Sequence, residues 1–285
     1  MRLCRFKHNA REVRIGLLTD SSWLLDLSSA GIQELEPLLE REDGLAYLEQ
    51  LAKSDLPRVA LTEVRLCAPV ERQEIWAAGV TYLRSKTARM EESNFSANAY
   101  DRVYDAERPE LFFKSLPEKA VATGEAVGIR RDSKWSVPEP ELALVMNSRG
   151  AIVAYTIGND MSARDVEGAN LLYLPQAKIY RNSCALGPCL TLGVAESDAR
   201  QWTIRLEIER EGKQVFAAET CVAKIKRRFE ELAGFLFRSQ VFPHGAVLLT
   251  GTGVVPPDSF ALQQQDRIKI EVTGIGLLEN LVMVV

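Results

Sequence analysis

The sequence predicts an α+β chain that is mainly β. Short apolar runs bounded by turn residues recur along most of its length, which is the mark of strands. Helical periodicity is largely confined to a leucine-rich stretch near the N-terminus and a segment at 226–239. Between the apolar runs 140–146 and 151–157 lies Asn147-Ser148-Arg149-Gly150, a set of turn residues suited to a hairpin. With 285 residues and 46% apolar composition, the chain can form one large domain or a small one plus a medium one. These runs divide the chain into a small α+β domain at 1–70 and a larger, mainly β domain at 71–285.

Taken in order, residues 3–6, 13–18 and 23–27 read as short strands. Residues 31–52 carry Leu35, Leu38, Leu39, Leu45, Leu48 and Leu51 at roughly helical spacing, and Asp43-Gly44 splits the segment into two helices. Packing or oligomer contact is the expected role of this region. Strands at 64–70 and 75–80 lead into the main domain. Residues 83–93 are helical by propensity, the polar run 94–100 has the character of a lid, and 100–106 forms a further short helix. A strand follows Arg108-Pro109-Glu110. Later, 203–209 and 214–220 form a hairpin, and 226–239 is an amphipathic helix with Phe229, Leu232, Phe235 and Leu236 on one side. Lys224, Lys226, Arg227 and Arg228 near its start read as a solvated face. A buried strand at 246–250 runs into Gly251-Thr252-Gly253, and strands at 266–272 and 277–284 close the fold.

The central hairpin carries the chemistry. Glu139 and Glu141 are two apart, so on a strand both carboxylates point to one face. With Ser148 and Arg149 as the loop residues, Glu139 falls opposite Gly158, and Asp160 lies two residues further along on the same face. A loop longer by one residue would flip it to the other side. Three converging carboxylates repel unless something cationic sits among them. A hard divalent ion is the natural answer, and magnesium typically takes carboxylates, waters and substrate oxygens. A lone Glu-x-Glu is more often a solvent-facing pair on an edge strand; the apolar surroundings and the third acid favour the metal here. Glu110 precedes an apolar strand that would partly desolvate it, as suits a general base, although a Pro-Glu before a strand is more often a plain loop acid. The glycine-flanked Thr252 offers a hydroxyl and backbone N–H groups to a carboxylate, or is an ordinary turn.

Composition narrows the alternatives. A net charge of −4 argues against an electrostatic nucleic-acid binder. No stretch approaches the ~20 apolar residues of a membrane span, and the N-terminus lacks the apolar core of a signal peptide. Five cysteines without a C-x-x-C pair read as free thiols of a reducing cytoplasm. His8 and His244 are the only histidines.

Glu139-x-Glu141, Gly158-Asn159-Asp160-x-Ser162-x-Arg164, Gln176-x-Lys178 and Thr250-Gly251-Thr252-Gly253 together resemble the fumarylacetoacetate hydrolase superfamily from about Glu74 onward. The resemblance implies a mixed β-sandwich roll, magnesium or manganese on Glu139, Glu141 and Asp160, a 2-oxo acid ligand, and a homodimer or homotetramer. In the carbon–carbon hydrolases of that superfamily a histidine follows a Gly-x-Asn-Tyr segment; here Gly79-Val80-Thr81-Tyr82-Leu83-Arg84-Ser85 is followed by none. Arg108-Pro109-Glu110-Leu111-Phe112-Phe113-Lys114, the run 162–168 and Leu174-Pro175-Gln176-Ala177-Lys178 are instead similar to the 2-keto-3-deoxy-D-arabinonate dehydratases. That likeness implies a metal-dependent hydro-lyase in which an enolate forms at the ion as Glu110 removes the C3 proton. Lys178, catalytic with Glu110, would hold the substrate carboxylate or the developing enolate; Arg84, Gly251 and Thr252 would also bind substrate, and Arg164 would orient the site acids. The alternatives are a hydrolase or decarboxylase of an acylpyruvate or oxaloacetate-like acid, and a metal-binding structural protein without turnover.

Overall fold

The computed structural model describes residues 1–9, 12–20, 22–82 and 103–285. Among them, eleven strands join in one large sheet and five in a second. Arg58–Ala60, Trp23–Asp26, Val13–Leu18 and Arg2–His8 form one flank of the large sheet, and Val64–Cys67 also pairs with Arg2–His8. Cys184–Leu192, Ile152–Asp160 and Pro140–Met146 lie at its centre, followed by Ala246–Leu249, Glu74–Gly79 and Glu110–Ser115. The second sheet runs Lys213–Cys221, Thr203–Arg210, Arg267–Val272, Gly276–Val284 and Ala126–Ile129. Antiparallel pairs dominate, with parallel pairing where Ala246–Leu249 meets Glu74–Gly79 and where Gly276–Val284 meets Ala126–Ile129.

Pro140–Met146 is buried at every position because both faces of the large sheet are covered. Leu142, Leu144 and Met146 pack into the core shared with Ile204, Ile208 and Ile270 of the second sheet. Ala143 and Val145 point the other way, into the core built with Leu35, Leu38 and Leu48. Side chains alternate along a strand, so Glu141 and Glu139 extend the Ala143–Val145 row. The carboxylates therefore stand on the face covered by the N-terminal leucines.

The N-terminal segment adds to this sheet directly. Arg2 pairs with Thr191 and Leu3 with Leu190, and Glu40 accepts hydrogen bonds from the Ser148 N–H at 2.6 Å and hydroxyl at 2.9 Å in the central turn. Its helical part is less regular than its leucines suggest. Leu27–Ala30 is a 3₁₀ turn, and α-helix is limited to Glu36–Leu39 and Gly44–Leu51. Leu45 is exposed. The expected helix at 226–239 is shorter, Phe229–Phe237. Arg227, expected in solvent, is buried and donates to the carbonyls of Ala106 at 2.6 Å and Glu107 at 3.1 Å, holding the approach to the Glu110–Ser115 strand.

Candidate active site

The hairpin register differs from the simple count, and the difference preserves the site. The turn is one residue longer than expected, with Met146 paired to Ile152. A bulge follows, so that Val145 pairs with Ala154 and Glu141 with Gly158. The Asp160 N–H then donates to the Glu139 carbonyl at 2.9 Å, which places these residues directly opposite each other. Two single-residue shifts add to two, and an even shift returns Asp160 to the face of the glutamates. One oxygen from each of Glu139, Glu141 and Asp160 lies within 4.8 Å of the others.

All three carboxylates are 1% exposed, so each must find a partner inside the protein. Arg164 Nη2 lies 2.7 Å from Glu139 Oε1. Lys178 Nζ bridges Glu139 Oε2 at 2.7 Å and Asp160 Oδ2 at 3.1 Å. Lys114, fully buried, places Nζ against Asp160 Oδ1 and donates to the carbonyls of Met161 and Lys178. The two carbonyl contacts are hydrogen bonds from the ammonium group, and the contact with Asp160 is an ion pair. Glu141 accepts the Gly251 N–H at 2.6 Å. Burial, then the charges of Asp160 and Glu139, push its carboxyl well above the usual range, against the pull of Lys178 and the Gly251 N–H. A buried, all-oxygen donor set at this spacing fits a hard divalent cation.

Lys114 was not among the residues expected at the site. The signal was available in alternation: Glu110, Phe112 and Lys114 occupy one face of the Glu110–Ser115 strand. Lys114 reaches Asp160, the Phe112 ring lies 5.8 Å from Lys178 Nζ, and Glu110 comes next along the row. Glu110 pairs with Gly79 across the sheet, and its carboxyl rests over that glycine. A Cβ built on Gly79 would fall 1.9 Å from Glu110 Oε2, so the carboxyl takes space that another residue would fill. Gly79 also lines the cavity of the three carboxylates, together with Phe112, Gly251 and Thr252. That juxtaposition brings Glu110 to the edge of the candidate metal site.

Gly251 adopts φ +91°, where a side chain is strained, and an added Cβ would lie 2.1 Å from Thr81 Oγ1. This close approach lets its N–H reach Glu141. Thr252 Oγ1 donates to the Val254 carbonyl at 3.0 Å and faces the same cavity. Arg84, the helical segment 83–93 and the lid-like stretch 94–100 lie outside the described residues. Neither histidine is at the site: His244 bonds to Glu36 at 3.0 Å, and His8 sits on the first strand opposite Val64.

The fold and this constellation define a class. Residues 74–283 match the fumarylacetoacetate (FAA) hydrolase C-terminal model, and the chain belongs to that family. Within it, the chain is 44% identical to the Probable 2-keto-3-deoxyxylonate dehydratase of Haloferax volcanii over 232 residues, 81% of this chain and 80% of the relative. It is 37% identical to the 2-dehydro-3-deoxy-D-arabinonate dehydratase of Saccharolobus solfataricus over 271 residues, 92% and 89% of the two chains. A solved structure of 2-keto-3-deoxy-D-arabinonate dehydratase complexed with magnesium and 2,5-dioxopentanoate superposes with a TM-score of 0.84 at 32% identity, covering 100% of this chain and 99% of that one.

Proposed function

We propose that the chain is a divalent-metal-dependent dehydratase of a 2-keto-3-deoxy sugar acid such as 2-keto-3-deoxy-D-arabinonate, giving 2,5-dioxopentanoate. The observation that carries the reading is the Glu110 carboxyl resting over Gly79, a glycine that lines the buried three-carboxylate cavity. The identities to the two dehydratases support it.

Glu139, Glu141 and Asp160 would hold the ion, with magnesium favoured and manganese an alternative. Once bound, the ion supplies Lewis acidity to the 2-oxo oxygen of the substrate. The chain's own groups do the rest. Glu110 takes a proton from C3 and delivers it to the C4 hydroxyl, which leaves as water, and tautomerisation completes the product. Lys178 holds negative charge on the substrate, and its contacts to Glu139 and Asp160 fix where its ammonium sits. Three cations already match the three carboxylates, so an added divalent ion makes the cavity cationic, as an anionic acid requires. Thr252, the Gly251 region and Arg84 are assigned to substrate binding, and Arg164 to orienting Glu139.

Catalysis is assigned to residues 71–285, with 1–70 as a small accessory α+β domain, in a cytoplasmic homodimer or homotetramer. Light scattering that finds a stable monomer overturns the assembly. The test of function is a screen of 2-oxo acids with magnesium, with products weighed by mass spectrometry. Loss of one water from a 2-keto-3-deoxy pentonate is expected. Fragment acids from an acylpyruvate, without dehydration of any sugar acid, overturn the reading in favour of a hydrolase.

A further inference from the structure

Glu110 lines one cavity and rests on a glycine that lines another. Its carboxyl rests on Gly79 at the wall of the carboxylate site, and it also lines a second cavity of about 340 Å³. That volume is within the usual range of small-molecule sites. Pro109, Leu171 and Leu174 give the second cavity apolar walls, and Arg108 at its rim stacks 5.5 Å from the Phe235 ring. Among the described lining residues, Glu167 is a carboxylate buried to 1% exposure.

Glu167 is placed by the segment that builds the metal end. Asp160 closes one strand, Arg164 opens the short helix Arg164–Ala169, and Glu167 lies three residues on, on the same side of the helix. Arg164 reaches back to Glu139, while Ser162 Oγ donates to Glu167 Oε2 at 3.2 Å and fixes that carboxylate edge. The carboxylate cavity and the second cavity thus both draw lining residues from one short stretch of chain.

The inference rests on the dehydratase reading. A 2-keto-3-deoxy acid with its C1 and C2 oxygens at the metal end and C3 beside Glu110 extends C4 and C5 into the second cavity. We propose that Glu167 is a specificity-determining residue that accepts a hydrogen bond from the terminal hydroxyl of that tail. An ionised carboxylate only accepts hydrogen bonds, so it matches a hydroxyl donor. It leaves an alkyl tail unrewarded and repels a tail that ends in a second carboxylate.

The test compares two substrates on the magnesium-loaded full chain: 2-keto-3-deoxy-pentonate, and 4-hydroxy-2-oxopentanoate, which keeps the 2-oxo acid and C4 hydroxyl but ends in a methyl group. The parent should prefer the first in kcat/KM. Glu167→Leu should reduce that preference by about ten- to a hundredfold, the usual worth of a hydrogen bond to a charged group. Glu167→Gln, which keeps an acceptor, should retain part of it. A merely structural role would lower both substrates by the same factor, and that result overturns the proposal. Magnesium-dependent binding of pyruvate, which has no tail, checks that each variant is assembled. If Glu167→Leu does not fold, the Glu167→Gln ratio decides, and a parent that treats the two acids alike overturns the proposal without any variant. If the parent dehydrates neither acid, the dehydratase reading fails separately. Calorimetric affinities of the two acids for parent and Glu167→Gln then decide the inference, with equal affinities overturning it.

Discussion

Three carboxylates and a fourth nearby differ in their surroundings. Glu139, Glu141 and Asp160 are sealed from solvent and held by an arginine, two lysines and a backbone N–H. Glu110, a short distance away, is half-buried and rests on a glycine beside a second cavity. In the proposed reading, the difference separates two tasks of one functional group. A metal ligand must have its lone pairs aimed in advance, because misdirected oxygens lose coordination. A proton carrier must reach the substrate and give up what it takes, so it is served by a place at the edge of the site.

The sharpest way to break this contrast is to remove a member of the held set. Glu141→Gln deletes a charged ligand, and turnover should fall by at least about 10³-fold, the several kcal/mol that Lewis-acid chemistry provides. Full activity of this variant in the presence of a chelator would sink the metal assignment. The parent also carries a pH signature. The Glu141 carboxyl is pushed up by burial and then by Asp160 and Glu139, so a cation must displace a proton there. Magnesium affinity should therefore rise with pH, and Glu141→Gln should lose its share of that slope in calorimetric titrations.

A smaller loss is expected from the other set. Glu110→Gln keeps size and hydrogen-bonding capacity but cannot accept the proton, so kcat should fall by about 10²–10⁴. Exchange of the substrate C3 protons with deuterated solvent should slow in parallel, while magnesium affinity stays at the parental value. If rate and magnesium affinity fell together, Glu110 would belong to the cage and the contrast would collapse. Smallest is the effect of moving Glu110 without changing it. Gly79→Ala introduces a Cβ where Glu110 Oε2 now lies, so the carboxyl must swing aside. Displacement of this kind costs up to about 10²-fold in kcat. A variant at the parental rate would mean that the observed resting place of Glu110 does not matter.

The held set was legible in the sequence because strand alternation is local: Glu139 and Glu141 share a face whatever the rest of the chain does. Asp160 was placed on the correct face by a register that proved two residues off, since the bulge at Val145 and Met146 leaves no mark in residue type. Lys114 escaped notice because a lysine in a strand reads as solvated, and only the long-range meeting with Asp160 buries it. The leucine stripe at 31–52 correctly marked a buried face, with Leu35, Leu38 and Leu48 inside, but overstated how much of it is helix. Nor could composition reveal that Arg2–His8 pairs with Cys184–Leu192, because strand partners so distant in sequence are chosen by tertiary packing.

The turn and bulge of the central hairpin also act as a parity rule on how this protein can change length. Any insertion or deletion between Glu141 and Asp160 that shifts the pairing by an odd number would send the aspartate to the opposite side of the sheet, among Leu142, Tyr155 and Ile157. An odd change in the turn is harmless only when another odd change absorbs it before Gly158. The five residues from Asn147 to Ala151 look like an ordinary surface loop, held by the Asn147 side chain through the N–H groups of Arg149 and Ala151. Loops of that kind normally drift in length without consequence. Here drift is permitted only in steps of two, or in compensated pairs, so a surface feature remote from the chemistry inherits the constraint of the buried carboxylates.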